Sequence, residues 1–105
     1  IQIARESFTV LMDEELPLDV SQHMLELACS VPGVLGAHDL RTRVSGNQWF
    51  VQLHLELPGD LTLSVAHGIS DQAADAIHAA YPRAEVLVHA DPQEVVQAAR
   101  AQNLT

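Results

Sequence analysis

Residues 49–57 read WFVQLHLEL, and from Val51 onward apolar and polar side chains alternate without exception. In an extended strand, successive side chains point to opposite faces. One face therefore carries Val51, Leu53, Leu55 and Leu57, and the other carries Gln52, His54 and Glu56. This period of two predicts a half-buried strand, which covers a hydrophobic core with one face and leaves the other face open.

A second strand is predicted immediately before this one, over residues 37–44. The loop Ser45-Gly46-Asn47 between the two strands is short and contains glycine, which favours an antiparallel hairpin. With the loop centred near Gly46, His38 of the first strand falls opposite His54 of the second. The hairpin therefore predicts two neighbouring imidazoles on the polar face.

Helical patterns flank the hairpin on both sides. Apolar residues at spacings of three and four predict a helix that begins at Val20, is capped by Asp19 and stops before Pro32. After the turn at Pro58-Gly59-Asp60, a second helix is predicted over residues 63–81. Each helix has an apolar side with which to cover the sheet.

The remaining part of the chain predicts a third strand and a final helix. Residues 85–88 form a short apolar run that is typical of a strand. The final helix is predicted to extend to about residue 102, with Asp91 as its N-cap and Pro92 in its first turn.

The predicted element order is α-β-β-α-β-α. It favours an α+β, ferredoxin-like (metallochaperone-like) sandwich, in which two helices cover one face of a three-stranded, mostly antiparallel sheet and a short helix ends the chain. The other face of the sheet stays open, which favours a ligand or a second subunit there. Residues 1–19 predict a connector, and residues 20–105 form the domain itself.

The charge balance excludes several classes of function. The 105 residues, enough for about one domain, carry 14 acidic side chains against 5 bases, all of them arginine, for a net charge of −9. The chain has no basic face with which to bind nucleic acid, and an anionic membrane surface would repel it. No stretch reaches the ~18 apolar residues of a membrane span, which predicts a soluble polypeptide. Cations and basic partners remain as ligands.

The single cysteine, Cys29, excludes an intrachain disulfide and a cysteine-rich zinc site. It lies in the apolar series Leu25, Ala28, Cys29, which predicts a buried and unreactive thiol. Any metal site must therefore be built from histidine and carboxylate side chains.

Six histidines are an anomaly in a chain so poor in bases. His89 and Asp91 lie two residues apart in an extended segment, so both side chains leave the same face. Together with His38 and His54 across the hairpin, they provide four nitrogen and oxygen ligands of the kind that zinc accepts. On the second helix, His67 and Asp71 are one turn apart and point the same way.

A single histidine is most often a surface residue or a satisfied core residue, so a metal site does not follow from any one of them. That ordinary interpretation is kept for His23 and His78, which are expected on exposed helix faces.

Four runs of the sequence together resemble a known family: PGVLGAHDLRTRVSG from Pro32, VQLHLELPG from Val51, AHGISDQ from Ala66 and VLVHADP from Val86. They resemble the cytoplasmic C-terminal domain of the cation diffusion facilitator family, and most of all that of the bacterial zinc and ferrous-iron efflux pumps. The resemblance covers roughly residues 7–96 and fits the spacing of the histidines. The runs are specific in combination, whereas each alone is weak.

The resemblance implies a metallochaperone-like domain that forms a homodimer and binds zinc at the dimer interface. Its implied zinc ligands are His38, His54, His67, His89 and Asp91. Of these, His89 and Asp91 are the ones implied to be shared between two metal ions. Asp39 and Asp71 are candidates only for orienting imidazoles by hydrogen bonding.

The resemblance also implies a transporter that exchanges a divalent cation for protons. Because no membrane segment is present, we expect this chain to be a domain excised from such a protein, with residues 1–19 leading from the membrane domain at the cytoplasmic face of a bacterial inner membrane. The expected function is to sense zinc, with Fe²⁺, Co²⁺ and Cd²⁺ as alternative ions, rather than to catalyse a reaction. Since neutral imidazoles are the ligands, affinity should fall below about pH 6.5.

Three other functions stay open on the sequence. The chain can be a soluble metal-carrying module with no transporter attached, or a ferredoxin-like regulatory domain for a small molecule, in which the histidines are incidental. A metallohydrolase is the third, because an open His/Asp site can activate water, although no separate general base or substrate cleft is evident.

Overall fold

The computed structural model of the protein describes residues 16–104. The elements are α1 (Leu18–Cys29), β1 (Gly36–Ser45), β2 (Gln48–Leu57), α2 (Leu63–Ala80), β3 (Ala84–Pro92) and α3 (Gln93–Leu104). This order confirms the predicted fold class. Of the predicted connector, residues 1–15 lie outside the described residues, and α1 begins two residues before the predicted Val20.

The three strands form one mixed sheet in the order β1-β2-β3. β1 and β2 pair antiparallel, with His38 opposite His54 as predicted. β2 and β3 pair parallel, so the expectation of a mostly antiparallel sheet holds only for the hairpin. The physical reason is the connection: α2 carries the chain back along the sheet, and β3 therefore starts at the same end as β2.

Both long helices pack on one face of this sheet. Their buried side chains meet the apolar side of β2 in a single core: Met24 and Ala28 from α1, Ala73 and Ile77 from α2, and Val51, Leu53, Leu55 and Leu57 from β2. Leu53 is 0% exposed, and full burial of such a side chain contributes about 1.5–3 kcal/mol. The polar side chains of β2 are thereby placed on the opposite face.

Two predicted helix caps are wrong. Pro17 occupies the N-cap position of α1, and Asp19 lies inside the first turn without a capping hydrogen bond. β3 runs through Pro92, so Asp91 is a strand residue and α3 begins only at Gln93. The short apolar run at residues 85–88 is only the first half of this strand, because pairing with β2 continues through Pro92.

The prediction of a buried Cys29 is also wrong, since this residue is exposed. Met24 and Ala28, four residues apart, form the buried stripe of α1, and Cys29 lies about 100° round the helix from Ala28. His23 and His78 are exposed, as predicted. Among residues 16–104, no helix is long and apolar enough to cross a membrane.

Candidate metal centre

Three histidines form a row across the face of the sheet that the helices leave open. In the register, His54 of β2 lies opposite His38 of β1 on one side and His89 of β3 on the other. The ring centroids of His38 and His54 are 5.3 Å apart, and those of His54 and His89 are 4.9 Å apart, both pairs stacked. Neighbouring strands are spaced by about 4.8 Å, so the backbone ladder itself sets the spacing of the imidazoles.

A β-bulge in β1 shapes one end of this row. The register shifts between His38 and Arg41, where Asp39 and Leu40 together occupy the place opposite Leu53. Asp39 has a φ of 55°, a left-handed conformation that asparagine and aspartate tolerate better than most residues. If the same residues paired continuously from the turn, with no bulge, His38 would lie opposite Leu55, on the core face. The bulge therefore keeps His38 on the face of His54.

Two of these histidines converge on one carboxylate. Asp91 Oδ2 lies 2.9 Å from His54 Nδ1 and 3.6 Å from His38 Nε2. One ligand atom from each of His38, His54 and Asp91 can be chosen so that all three lie within 4.8 Å of one another. Two imidazole nitrogens and a carboxylate oxygen form a donor set that suits Zn²⁺, and also Fe²⁺, Co²⁺ and other borderline divalent ions. The residues present thus fit a divalent cation.

Glu56 also belongs to this site, although the sequence analysis does not include it among the candidate site residues. It is only 4% exposed, although it lies on the open face of β2. Its Oε2 lies 2.9 Å from His38 Nδ1 and accepts a hydrogen bond of 2.7 Å from Arg100 Nη2 of α3. The available signal was its position two residues after His54, which places both side chains on the same face.

The two aspartates proposed to orient imidazoles differ in position. Asp39 Oδ2 lies 3.8 Å from His54 Nε2, and Asp39 Oδ1 accepts a 3.2 Å hydrogen bond from Arg41 Nε. Asp71 Oδ2 lies 3.3 Å from His67 Nε2, one helical turn away and largely in solvent. Asp39 therefore borders the histidine row, whereas Asp71 accompanies His67 elsewhere.

The structure brings together part of the predicted ligand set. His38, His54 and Asp91 form the cluster, and His89 stacks beside it. His67 does not join them within one chain: it lies on α2, in the layer that covers the opposite face of the sheet, and its side chain is 76% exposed. It lines an open, mainly apolar depression with Leu63, Val88 and Ala90.

Known proteins resemble this chain over most of its length. Cation-efflux pump FieF of Yersinia enterocolitica is 44% identical over 96 residues, which cover 91% of this chain and 32% of that protein. FieF of Klebsiella pneumoniae is 41% identical over 100 residues, covering 95% of this chain and 33% of the relative. The chain thus spans about a third of the length of the pumps it matches.

Solved structures show the same fold. A Zn-form structure of CzrB, described as a zinc transporter, superposes with a TM-score of 0.70 and 29% identity, covering 79% of this chain and 96% of the other. A cadmium form of the MamM C-terminal domain superposes with a TM-score of 0.67 and 28% identity, covering 71% and 95%.

The segment that matches a protein family covers most of the described domain. Residues 16–93 match the family described as the cytoplasmic domain of cation efflux proteins. The matched segment begins just before α1 and ends where α3 begins, so it contains the whole sheet and the histidine row. The chain therefore belongs to the family of cation efflux protein cytoplasmic domains.

Proposed function

We propose that this chain is the regulatory domain of a bacterial divalent-cation efflux pump, a proton antiporter, and that it binds zinc between two copies of itself. The observation that carries the proposal is the cluster of His38, His54 and Asp91, whose ligand atoms lie within 4.8 Å of one another. The efflux-pump names of the relatives and the metal-bound forms among the solved neighbours support it.

The donor set favours zinc without excluding related ions. Imidazole nitrogen and carboxylate oxygen bind Zn²⁺, Fe²⁺, Co²⁺ and Cd²⁺. The order of affinity among such ions depends more on the identity of the metal than on the particular site. Three ligands from one chain leave a tetrahedral ion one ligand short. His89, stacked on His54, is the nearest further imidazole for that position or for a second ion that also uses Asp91.

A second copy of the chain provides the remaining histidine in this proposal. His67 lies on the helical layer, away from the cluster of its own chain, and its imidazole is exposed on the rim of a depression. It can therefore contribute to the site only from another subunit. A homodimer in which each α2 approaches the partner's open sheet face would complete the ligand set that the family resemblance implies.

Charge gives a reason for metal binding to act as a signal. Two subunits with a net charge of −9 each repel one another, and divalent ions at their interface offset part of that repulsion. Because the ions bind one arrangement of the subunits more tightly, they shift the population towards it. In the full-length pump, at the cytoplasmic face of the inner membrane, residues 1–19 would connect that shift to the membrane domain. The role is ligand sensing rather than catalysis.

The test combines calorimetric titration with zinc at pH 7.5 and sedimentation velocity before and after metal addition. The expected result is saturable binding of one or two ions per chain and a compact dimer at saturation. His67→Ala should lower the stoichiometry or the dimer fraction, while His78→Ala, on an exposed face outside the cluster, should match the wild-type chain. Absence of saturable zinc binding would contradict the proposal.

A further inference from the structure

Glu56 is buried on a face of the sheet where its neighbours His38, His54 and Asp91 are only half-buried. The space for its carboxylate comes from Gly36, which pairs directly with it in the β1–β2 register. A Cβ added at Gly36 would lie 3.1 Å from Glu56 Oε1, so a larger residue there would press on the carboxylate. The fold therefore accommodates a charged group at a place where burial alone is unfavourable.

The carboxylate determines which nitrogen of His38 is available to a metal. A carboxylate oxygen can only accept hydrogen bonds, and Glu56 Oε2 lies 2.9 Å from His38 Nδ1. The hydrogen of the neutral imidazole is then on Nδ1, and the lone pair is on Nε2. His38 Nε2 is the atom that lies 3.6 Å from Asp91 Oδ2. Two electron-pair donors this close repel each other unless a cation or a proton lies between them.

Arg100 holds the same carboxylate from the last helix. Its Nη2 donates a 2.7 Å hydrogen bond to Glu56 Oε2, which joins residues 44 positions apart in the chain. This contact offsets the cost of burying Glu56, because a charge-assisted hydrogen bond from guanidinium to carboxylate is among the stronger polar contacts. The chain Arg100–Glu56–His38 thus links α3 to the histidine row.

We propose that Glu56 is a positioning residue for the metal cluster: it holds His38 as the Nδ1–H tautomer with Nε2 available to the ion, and Arg100 fixes Glu56 in place. The effect of Glu56 on metal binding rests on the proposed metal-binding function. The position of the proton on His38 does not, because it is a property of the metal-free chain. The position of α3 and the readiness of His38 to bind metal are coupled through this contact.

The test starts with the metal-free, ¹⁵N-labelled chain, in which long-range ¹H–¹⁵N NMR spectra report the tautomer of each histidine. Glu56→Met removes the acceptor at similar volume, Glu56→Gln retains a carbonyl oxygen, and Arg100→Met removes the clamp. Gln97→Ala, on an exposed position of α3, is the matched control for changes to that helix.

The expected result is the Nδ1–H tautomer at His38 in the wild-type chain and in Glu56→Gln, and its loss in Glu56→Met. Zinc affinity should fall about 10- to 100-fold in Glu56→Met, which is the usual effect of removing a partner behind a metal ligand. The loss in Arg100→Met should be smaller, and Gln97→Ala should be unchanged.

An Nε2–H tautomer at His38 in the wild-type chain would overturn the inference, and so would unchanged zinc affinity in Glu56→Met. A fall in affinity without a change of tautomer would also overturn it, because Glu56 would then act only through stability. The metal-binding proposal is tested separately, because it fails if the wild-type chain binds no zinc. In that case the NMR spectra of the metal-free variants still show whether Glu56 determines the tautomer of His38.

Discussion

β2 contributes to both faces of the sheet, and the two faces differ in what their side chains contact. On the helix-covered face, Leu53 and Leu55 are fully buried among the side chains of α1 and α2. On the open face, His54 is half-buried, lies 2.9 Å from Asp91 Oδ2 through its Nδ1, and stacks against the imidazoles of His38 and His89. Because neighbouring residues of one strand serve these two environments, stability and metal chemistry can be changed separately by substitutions one position apart.

The largest effect is expected on the core face. Leu53→Ala should lower the free energy of unfolding by about 2–5 kcal/mol, because it removes buried methyl groups and leaves a cavity between the sheet and the helices. Urea denaturation followed by circular dichroism measures this change. The adjacent control Gln52→Ala should remain within about 0.5 kcal/mol of the wild-type value. Equal losses for the two variants would contradict the division of β2 into two faces.

On the open face, His54→Ala should reduce zinc affinity while the metal-free chain keeps its fold. The loss should exceed the roughly 10- to 100-fold that removal of an outer hydrogen-bond partner causes, because His54 lies at the centre of the row. Competition titration with a zinc chelator measures the affinity, and circular dichroism checks the fold. Retention of wild-type affinity would show that the cluster of His38, His54 and Asp91 is not the metal site.

Substitutions at Asp39, in the bulge, should change the stability of the chain by a smaller amount. Asp39→Ala and Asp39→Gly both remove the carboxylate, but only glycine adopts a φ of 55° without steric cost. The glycine variant should therefore be more stable than the alanine variant by about 1 kcal/mol, as measured by urea denaturation. If the alanine variant were the more stable of the two, the left-handed conformation at Asp39 would not hold in solution.

The smallest effect concerns the thiol at the end of α1. Partial burial, and to a lesser extent the negative charge of Glu56, raise the pKa of Cys29 above its ordinary value. A raised pKa lowers the thiolate fraction at pH 7.5, so alkylation should be slower in the folded chain than in the chain unfolded in urea. Glu56→Gln should increase the folded rate slightly. Faster alkylation in the folded wild-type chain than in the unfolded chain would contradict a raised pKa at Cys29.

Much of the fold follows from local patterns. The alternation in residues 51–57 predicts the central strand and its buried face, and the loop at Gly46 predicts the hairpin. The expectation of a mostly antiparallel sheet does not account for the parallel pairing of β2 with β3, although a helix between two neighbouring strands is the usual sign of a parallel pair. That signal was present in the element order itself.

The site was predictable in its residue types but not in its connections. His38 opposite His54 follows from the hairpin, yet counting from the turn succeeds only because the bulge at Asp39 absorbs one residue. The contact between Arg100 and Glu56 depends on where α3 docks, and no local pattern encodes that. Likewise, the N-cap assignment of Asp91 considered only local helix signals, whereas pairing with β2 keeps this residue in the strand.

The bulge also has a consequence at the level of the gene. Asp39 and Leu40 share a place opposite one residue of β2, so deletion of the codon for Asp39 would leave an unbroken ladder with His38 still opposite His54. Deletion of one codon between Arg41 and Ser45 would instead turn the residues between the bulge and the deletion to the other face, and with the bulge retained it would place His38 opposite Leu53, on the core side. Length variation in this hairpin among related genes should therefore be tolerated at the bulge and rare between it and the turn.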